Sequence, residues 1–236
     1  MNVDLNTIPM SVSALLGASN GLWTMAYIMC LWLGSKERTY CIPASALAAN
    51  WGCEFAYIFL NGSPAIVIYC FVPLICVSSL LIYQYFKFAS KDIPTPNMPA
   101  SWIVPSFAIG ALASMGYSVF MTRHFQDAGW HYSYFVNLVD SVMWVHMLLR
   151  RNSMSGQSLY IAILRMFGSI GTHIAVYVMS GPNYPIFFMT ALLITAFDLL
   201  YIVMVFAKCR QWGLNPWKVR HTVEATKAPA PGLAAA

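Results

Sequence analysis

Seven long apolar runs make up most of this chain. Each is close to the roughly 20 residues that an α-helix needs to cross a bilayer. Hydrophobic residues form 59% of the 236 residues and charged residues only 9%, whereas a soluble domain carries about 25% charged residues. We therefore predict an all-α membrane protein, a bundle of seven transmembrane helices. The predicted spans are Val12–Leu33, Thr39–Leu60, Pro64–Phe86, Trp102–Met121, His131–Leu149, Leu159–Met179 and Pro185–Ala207.

The basic residues between these runs predict the orientation. Eleven lysines and arginines lie in the loops after the first, third and fifth spans and in the C-terminal tail, whereas the opposite loops carry only Arg123. Cytosolic loops carry the excess of basic residues. The N-terminus is therefore predicted to be lumenal and the C-terminus cytosolic. Because topology explains these charges, they do not indicate a nucleic-acid partner.

The connections and the tail predict how the chain is divided. Most loops between spans are short, which predicts that consecutive helices are antiparallel neighbours in a compact bundle. Residues 1–217 would form the membrane domain. Residues 218–236 are polar and then rich in alanine and proline, so we expect a disordered cytosolic tail.

Four charged side chains lie inside the predicted spans: Glu54, Asp140, Arg165 and Asp198. A charged side chain at the bilayer centre costs on the order of 3 kcal/mol, so such residues face inward and mark functional sites by default. A structural ion pair between Asp140 and Arg165 is an alternative explanation for two of them. That pairing would leave Glu54 and Asp198 as the unpaired carboxyls.

Both of these carboxyls have polar and aromatic neighbours at helical spacing. Asn50, Trp51 and Tyr57 lie three or four residues from Glu54, which predicts a shared helix face. Tyr201 lies three residues after Asp198. Polar contacts that merely hold helices together would give the same pattern.

A buried carboxyl among aromatic rings can serve two kinds of chemistry. Apolar surroundings penalise the carboxylate, so the acid can stay protonated and donate a proton. Aromatic faces stabilise cations. The pattern suits a reaction that begins with protonation and proceeds through carbocations. It suits a proton-coupled small-molecule transporter equally well, with Glu54 and Asp198 as the proton relay.

Several short motifs resemble the small integral-membrane terpene cyclases of fungal meroterpenoid and indole-diterpene pathways. The order and spacing of the motifs match over nearly the whole chain. The motifs are Arg38-Thr39-Tyr40, Asn50-x-x-x-Glu54-x-x-Tyr57, Gly156-Gln157-Ser158 followed by Arg165 and Gly168, Phe197-Asp198-x-x-Tyr201, and Gly213-Leu214-Asn215-Pro216-Trp217.

The resemblance implies an acid-initiated cyclase with Glu54 and Asp198 as its essential acids. The implied substrate is a prenylated polyketide or aromatic compound whose terminal alkene has usually been epoxidised. It further implies functional coupling to a flavin epoxidase and a prenyltransferase, and residence in the endoplasmic reticulum. One residue departs from the family pattern, because Cys53 stands where a tryptophan commonly precedes the glutamate. The residues predicted to contact substrate are Asn50, Trp51, Tyr57, Asp140, Arg165, Phe197 and Tyr201.

Motifs of other cyclase classes are absent from the sequence. No aspartate-rich cluster is present to hold magnesium and diphosphate, and the DxDD acid motif of soluble cyclases is missing. The sequence also lacks a glycine-rich nucleotide loop and a Cys/His pattern with metal-ligand spacing. We therefore expect neither a metal nor a cofactor.

Overall fold

The computed structural model describes residues 9–63, 65–92, 99–127, 129–151, 153–181 and 184–220. Within these residues the regular structure is helical, with seven α-helices and one short 3-10 turn before the fourth. The predicted disordered tail lies mostly outside them, from residue 221 onward. The helices are α1 (Met10–Glu37), α2 (Ala44–Phe59), α3 (Ala65–Asp92), α4 (Ile103–Phe125), α5 (Trp130–Arg150), α6 (Leu159–Ser180) and α7 (Pro185–Gln211).

The seven predicted helices are confirmed in the described residues, but α2 is shorter than expected. It begins at Ala44 rather than near Thr39, because Pro43 disfavours helical backbone at the residue before it. Five helices are long and apolar enough to cross a membrane, namely α1, α3, α4, α6 and α7. The described parts of α2 and α5 fall short of that measure, so seven crossings remain a prediction.

Helix order in space differs from helix order in the chain. Six helices form a closed ring in which α1 packs on α3, α3 on α2, α2 on α5, α5 on α7, α7 on α6, and α6 on α1. Helix α4 packs outside the ring, mainly on α2. The prediction that short loops join neighbouring helices is therefore wrong for α1 and α2.

Contacts between loops define the two ends of the bundle. At one end the Gly156 N–H donates to the Glu37 carboxylate at 2.7 Å, and Lys208 donates to the carbonyl at the end of α5. At the other end the Tyr57 hydroxyl donates to the Gly129 carbonyl at 2.5 Å. The loops after α1 and α5 thus share one end with the end of α7, in agreement with the charge pattern of the sequence.

Motifs at the Glu37 end of the bundle are structural. Arg38 ends α1 in the left-handed region with a φ of 54°, and Gly156 adopts a φ of 74°. Gly213 follows α7 with a φ of 67°. The Tyr160 hydroxyl then donates to the Trp217 carbonyl at 3.1 Å. These residues close the ends of α1, α6 and α7.

Gly52 brings α2 close to α4. A Cβ at this position would overlap the Ala111 carbonyl oxygen and press on the Ser114 side chain. Only a residue without a side chain permits this approach. Because Glu54 lies two residues further along α2, the α2–α4 contact also fixes the depth and direction of that carboxyl.

Candidate active site

A cavity of about 130 Å³ lies inside the ring, between α1, α2, α3 and α5. Most of its wall is apolar or aromatic. The polar residues in the wall include Asn50 and Glu54 on α2, and Ser133 and Asn137 on α5. Of the two carboxyls that the sequence singles out, Glu54 therefore faces the cavity.

Glu54 is buried, with 4% of its surface exposed. The Ser78 hydroxyl on α3 donates to its Oε2 at 2.6 Å. That hydrogen bond fixes one carboxyl oxygen, and the Glu54 side chain lies in the cavity wall. Glu54 therefore occupies a position from which it can exchange a proton with a ligand in the cavity.

Asp198 belongs to a second group, a buried charge cluster of Asp140, Arg165 and Asp198. Arg165 Nη2 lies 2.5 Å from Asp140 Oδ2 and 3.6 Å from Asp198 Oδ1. All three side chains are 1% exposed. The predicted ion pair between Asp140 and Arg165 is confirmed, but it does not leave Asp198 isolated. Asp198 is not in the cavity wall.

Two tryptophans enclose the guanidinium of the charge cluster. Arg165 lies over the Trp144 ring at 4.5 Å and over the Trp23 ring at 5.2 Å. The Trp144 indole also donates to Asp140 at 3.2 Å. Trp23 also lines the cavity, so its indole contacts both the cavity and the charge cluster.

The residues predicted to share a face with Glu54 divide into two sets. Asn50 lines the cavity and donates to Asp140 at 3.3 Å, so it connects the cavity with the charge cluster. Tyr57 also lines the cavity and stacks on Phe71 at 4.7 Å. Trp51 instead donates to Ser79 at 3.0 Å on the outer side of α3. Trp51 follows Asn50 by one residue, which turns it by 100° around α2 and away from the cavity.

Two residues of α7 are also away from the cavity. Tyr201 is fully buried, donates to the Gln157 side chain and meets Trp144 edge to face at 5.4 Å. Phe197 packs partly buried against the main apolar core. This geometry therefore does not favour direct substrate contact by Trp51, Phe197 or Tyr201.

Cys53 lines the cavity beside Glu54 and is 4% exposed. It packs with Tyr57, Val67 and Val136. A tryptophan at this position would project its indole into the same space. A cysteine here therefore leaves open space beside Glu54 that a tryptophan would fill.

A second and larger cavity, of about 530 Å³, lies between α5, α6 and α7. Its wall is almost wholly apolar and includes His173, which the Tyr134 ring contacts at 5.1 Å. Glu54 does not line this cavity, and neither do the residues of the charge cluster.

Sequence reasoning missed several residues that complete the site. Ser78 is one of two adjacent serines in an apolar run, and nothing in that pattern indicates which of them meets Glu54. Trp144 could have been found, since it lies four residues after Asp140 and therefore on the same face of α5. Among the described residues, no group of three or more His, Cys, Asp or Glu side chains is placed to hold a metal ion.

Fold and site together define a class: a multi-pass integral membrane protein with an apolar cavity that, within the described residues, has one acidic side chain in its wall. The sequence model of the Pyr4-like transmembrane terpene cyclases matches residues 5–212. The chain belongs to this family, and it is a membrane terpene cyclase.

Two fungal relatives are also named as terpene cyclases. The chain is 26% identical to the Pyr4-family terpene cyclase mfmH of Annulohypoxylon moriforme over 166 residues, which are 69% of this chain and 68% of the relative. It is 24% identical to the terpene cyclase andB of Emericella variicolor over 165 residues, 68% of this chain and 70% of the relative. No solved structure matches the chain. Both names favour the enzyme over the proton-coupled transporter.

Proposed function

We propose that this cyclase protonates the terminal epoxide, or the terminal alkene, of a prenylated polyketide, aromatic or indole compound and guides the closure of its rings. The observation that carries the proposal is the position of Glu54, which in the part of the chain that the structure describes is the one carboxyl in the wall of an apolar cavity. The substrate class rests on the motifs that resemble meroterpenoid and indole-diterpene cyclases.

Glu54 is the proton donor in this proposal. Its carboxyl O–H bond breaks as the proton moves to the epoxide oxygen, and the epoxide C–O bond breaks to give a hydroxyl and a tertiary cation. Each alkene of the prenyl chain then attacks the cation and forms a C–C bond. Loss of a proton from the final cation ends the cascade, so the product is an isomer of the substrate.

The cavity wall suits the cations that form along this path. Trp23, Tyr27, Tyr57 and Phe71 all line it. The negative faces of aromatic rings attract cations within about 6 Å and contribute about 0.5–2 kcal/mol each. Because these rings cannot act as strong nucleophiles, they stabilise a cation without ending the reaction.

The charge cluster supports the reaction from behind the wall. With both carboxyls ionised, Asp140, Arg165 and Asp198 carry one net negative charge. Low-dielectric surroundings strengthen the attraction between that charge and a cation in the cavity. Asp198 thus stabilises the cation at a distance in our proposal, whereas Asn50 and Tyr57 contact the substrate.

The proposal also covers the setting of the enzyme. We place it in the endoplasmic reticulum membrane, with residues 1–217 as the cyclase unit and 218–236 as a cytosolic tail. A prenyltransferase would make the substrate and a flavin epoxidase would activate it. The substrate would reach the cavity from the bilayer, in which a prenylated compound dissolves.

Microsomes test the function directly. Membranes that contain the protein are given an epoxy-prenylated phenol, polyketide and indole, and each compound is also supplied without the epoxide. We expect a cyclised isomer of unchanged mass, which membranes without the protein do not form. The proposal is wrong if the protein converts no compound of the panel but drives proton-linked uptake into sealed vesicles.

A further inference from the structure

Helix α5 presents a polar face to the cavity that the cyclisation steps above do not use. Trp130, Ser133 and Asn137 follow one another at intervals of three and four residues, and all three line the cavity. Side chains at this spacing share one face of a helix. Trp130 and Asn137 are separated by seven residues, which is about 10 Å along the helix axis.

Trp130 carries the strongest sign of a missing partner. Its side chain is 8% exposed, and its indole N–H is buried without an acceptor among the residues that the structure describes. A buried indole N–H normally finds an acceptor, because leaving it unpaired costs about 1–3 kcal/mol. An indole N–H can only donate a hydrogen bond, so its partner must supply an oxygen or nitrogen acceptor.

Asn137 also has an unpaired atom but is a weaker candidate. Its amide nitrogen donates to Ser169 at 3.3 Å, so one half of the amide is already engaged. Its Oδ1 is buried without a donor in the described part of the chain. Ser133 is satisfied locally, since its hydroxyl donates to the Trp130 carbonyl at 3.2 Å. Of the three residues, Trp130 is the one whose whole hydrogen-bonding capacity is unused.

Contacts between α2 and α5 give the depth of Trp130 relative to Glu54. Asn50 meets Asp140, and Tyr57 meets Gly129, so the two helices run antiparallel across the cavity. Trp130 is therefore level with Tyr57, close to the end of the bundle. Glu54 lies about one helical turn deeper.

We propose that the Trp130 indole N–H binds an oxygen of the substrate's head group, the part that does not react. This inference rests on the proposed function and adds the binding orientation. The oxygenated head lies near the end of the bundle, where polar groups and tryptophans favour the membrane interface. The apolar prenyl chain extends inward and folds so that its epoxide meets Glu54. The substrate class follows, because the ligand must carry a carbonyl or ether oxygen on its head as well as the epoxide.

The test pairs two substrates with three variants, Trp130→Phe, Asn137→Leu and a control. One substrate is an epoxy-prenyl compound with an oxygenated aromatic head, and the other has the same head with its oxygens replaced by hydrocarbon. Trp130→Phe removes the N–H and keeps an aromatic ring. Trp102→Phe is the matched control, since Trp102 is 60% exposed and does not line the cavity.

If the Trp130 N–H binds the head group, the loss of activity in Trp130→Phe depends on the substrate. Trp130→Phe should lower kcat/KM about 5- to 50-fold for the oxygenated substrate and leave the hydrocarbon analogue nearly unchanged. Trp102→Phe should leave both unchanged. Wild-type enzyme should itself prefer the oxygenated substrate by a similar factor, a comparison that holds even if Trp130→Phe does not accumulate.

Three results would overturn the subsite. They are an equal loss on both substrates, no preference in the wild type, or a substrate-dependent loss in Asn137→Leu that Trp130→Phe does not show. In all three, cyclisation by the wild type still supports the proposed function. If the wild type cyclises neither substrate, the proposed function itself is wrong and the subsite fails with it.

Discussion

A single hydrogen bond distinguishes the two oxygens of the Glu54 carboxyl. Ser78 donates to Oε2 from α3, and Glu54 lies in the cavity wall. This hydrogen bond restrains the carboxyl in its place at the cavity wall. Precise placement of the donor matters because a proton is transferred only over hydrogen-bonding distance.

Ser78→Ala should therefore slow the reaction without unfolding the protein. Loss of a hydrogen bond to a buried acid is worth about 1.5 kcal/mol, so we expect kcat to fall about tenfold. The measurement is product formation in microsomes, normalised to the amount of protein. Ser79→Ala is the control, because Ser79 accepts from Trp51 on the outer side of α3. Equal activities of the two variants would show that the Ser78 contact plays no part in the chemistry.

Cys53→Trp should close the cavity beside Glu54. A large side chain forced into a packed site costs about 1–3 kcal/mol, and here it also occupies substrate space. We expect conversion of the enzyme's own substrate to disappear while smaller prenyl epoxides are still cyclised. Cys76→Trp provides the comparison, since Cys76 lies on the exposed side of α3. Unchanged substrate range in Cys53→Trp would contradict this account of the cavity.

At the scale of the residue, the sequence predicted that Glu54, Asp140, Arg165 and Asp198 are buried, but not Asp127 and not how the four are grouped. The cost of an unpaired charge made the Asp140–Arg165 pair a sound expectation. That reasoning could not show that Arg165 also reaches Asp198, because this depends on how α7 packs against α6. The direction of Trp51 was missed because Trp51 and Tyr57 lie about 60° from Glu54 on opposite sides of the helix. The sequence does not show on which of these two sides the cavity lies.

Helix α2 has a larger role than its 16 residues suggest. It contacts α3, α4 and α5, and it places Asn50, Glu54 and Tyr57 in the cavity wall. Its length is about 24 Å at 1.5 Å per residue, which is shorter than a hydrocarbon core of about 30 Å. Its packing among three neighbours, more than its own hydrophobicity, must therefore fix its position.

Gly52→Ala tests this dependence on packing. The added methyl group would overlap the Ala111 carbonyl, so α2 must shift away from α4 and carry Glu54 with it. We expect a destabilisation of about 1–3 kcal/mol and a loss of turnover. Thermal unfolding in detergent and product formation measure the two effects.

The control is Gly116→Ala on α4, where a Cβ meets nothing within 4 Å. At such an open helical site the substitution should be neutral or favourable by up to about 1 kcal/mol. Equal behaviour of the two variants would contradict the close α2–α4 contact.

Helix positions were predictable from the sequence, whereas helix neighbours were not. The apolar runs gave the approximate bounds of the helices, because burial in a bilayer requires a minimum apolar length. The order of helices around the ring depends on side-chain fit between faces that are apolar in every helix. Hydropathy alone cannot distinguish those faces, so α3 beside α1 could not be foreseen.

The whole molecule is a ring of helices with its loops sorted to two ends. Loops with many basic residues gather at the end where Gly156 meets Glu37, and the Trp130 subsite lies toward the opposite end. If the positive-inside rule applies here, the basic end is cytosolic and the head-group subsite is lumenal. That orientation determines from which side a polar head group is bound.

Glycosylation acceptors test the orientation and the number of crossings. Flexible inserts with an acceptor sequence are placed in the α2–α3, α4–α5 and α5–α6 loops. Asn61→Gln is included in every variant, because Asn61-Gly62-Ser63 is itself an acceptor pattern. We expect a mobility shift for the first two loops and none for the third. Modification of the α5–α6 loop, or the absence of a shift at the α4–α5 loop, would contradict the seven-span topology.

The central claim is that Glu54 donates the proton that starts the cascade, and Glu54→Gln beside Glu54→Asp tests it most directly. Product formation from the epoxide substrate is measured at equal protein levels and matched thermal stability. Glu54→Gln should lower kcat about 10²- to 10⁴-fold, as expected for loss of a general acid. Glu54→Asp keeps the acid on a shorter side chain and should retain measurable turnover above Glu54→Gln. Turnover by Glu54→Gln within a few-fold of the wild type would contradict the claim.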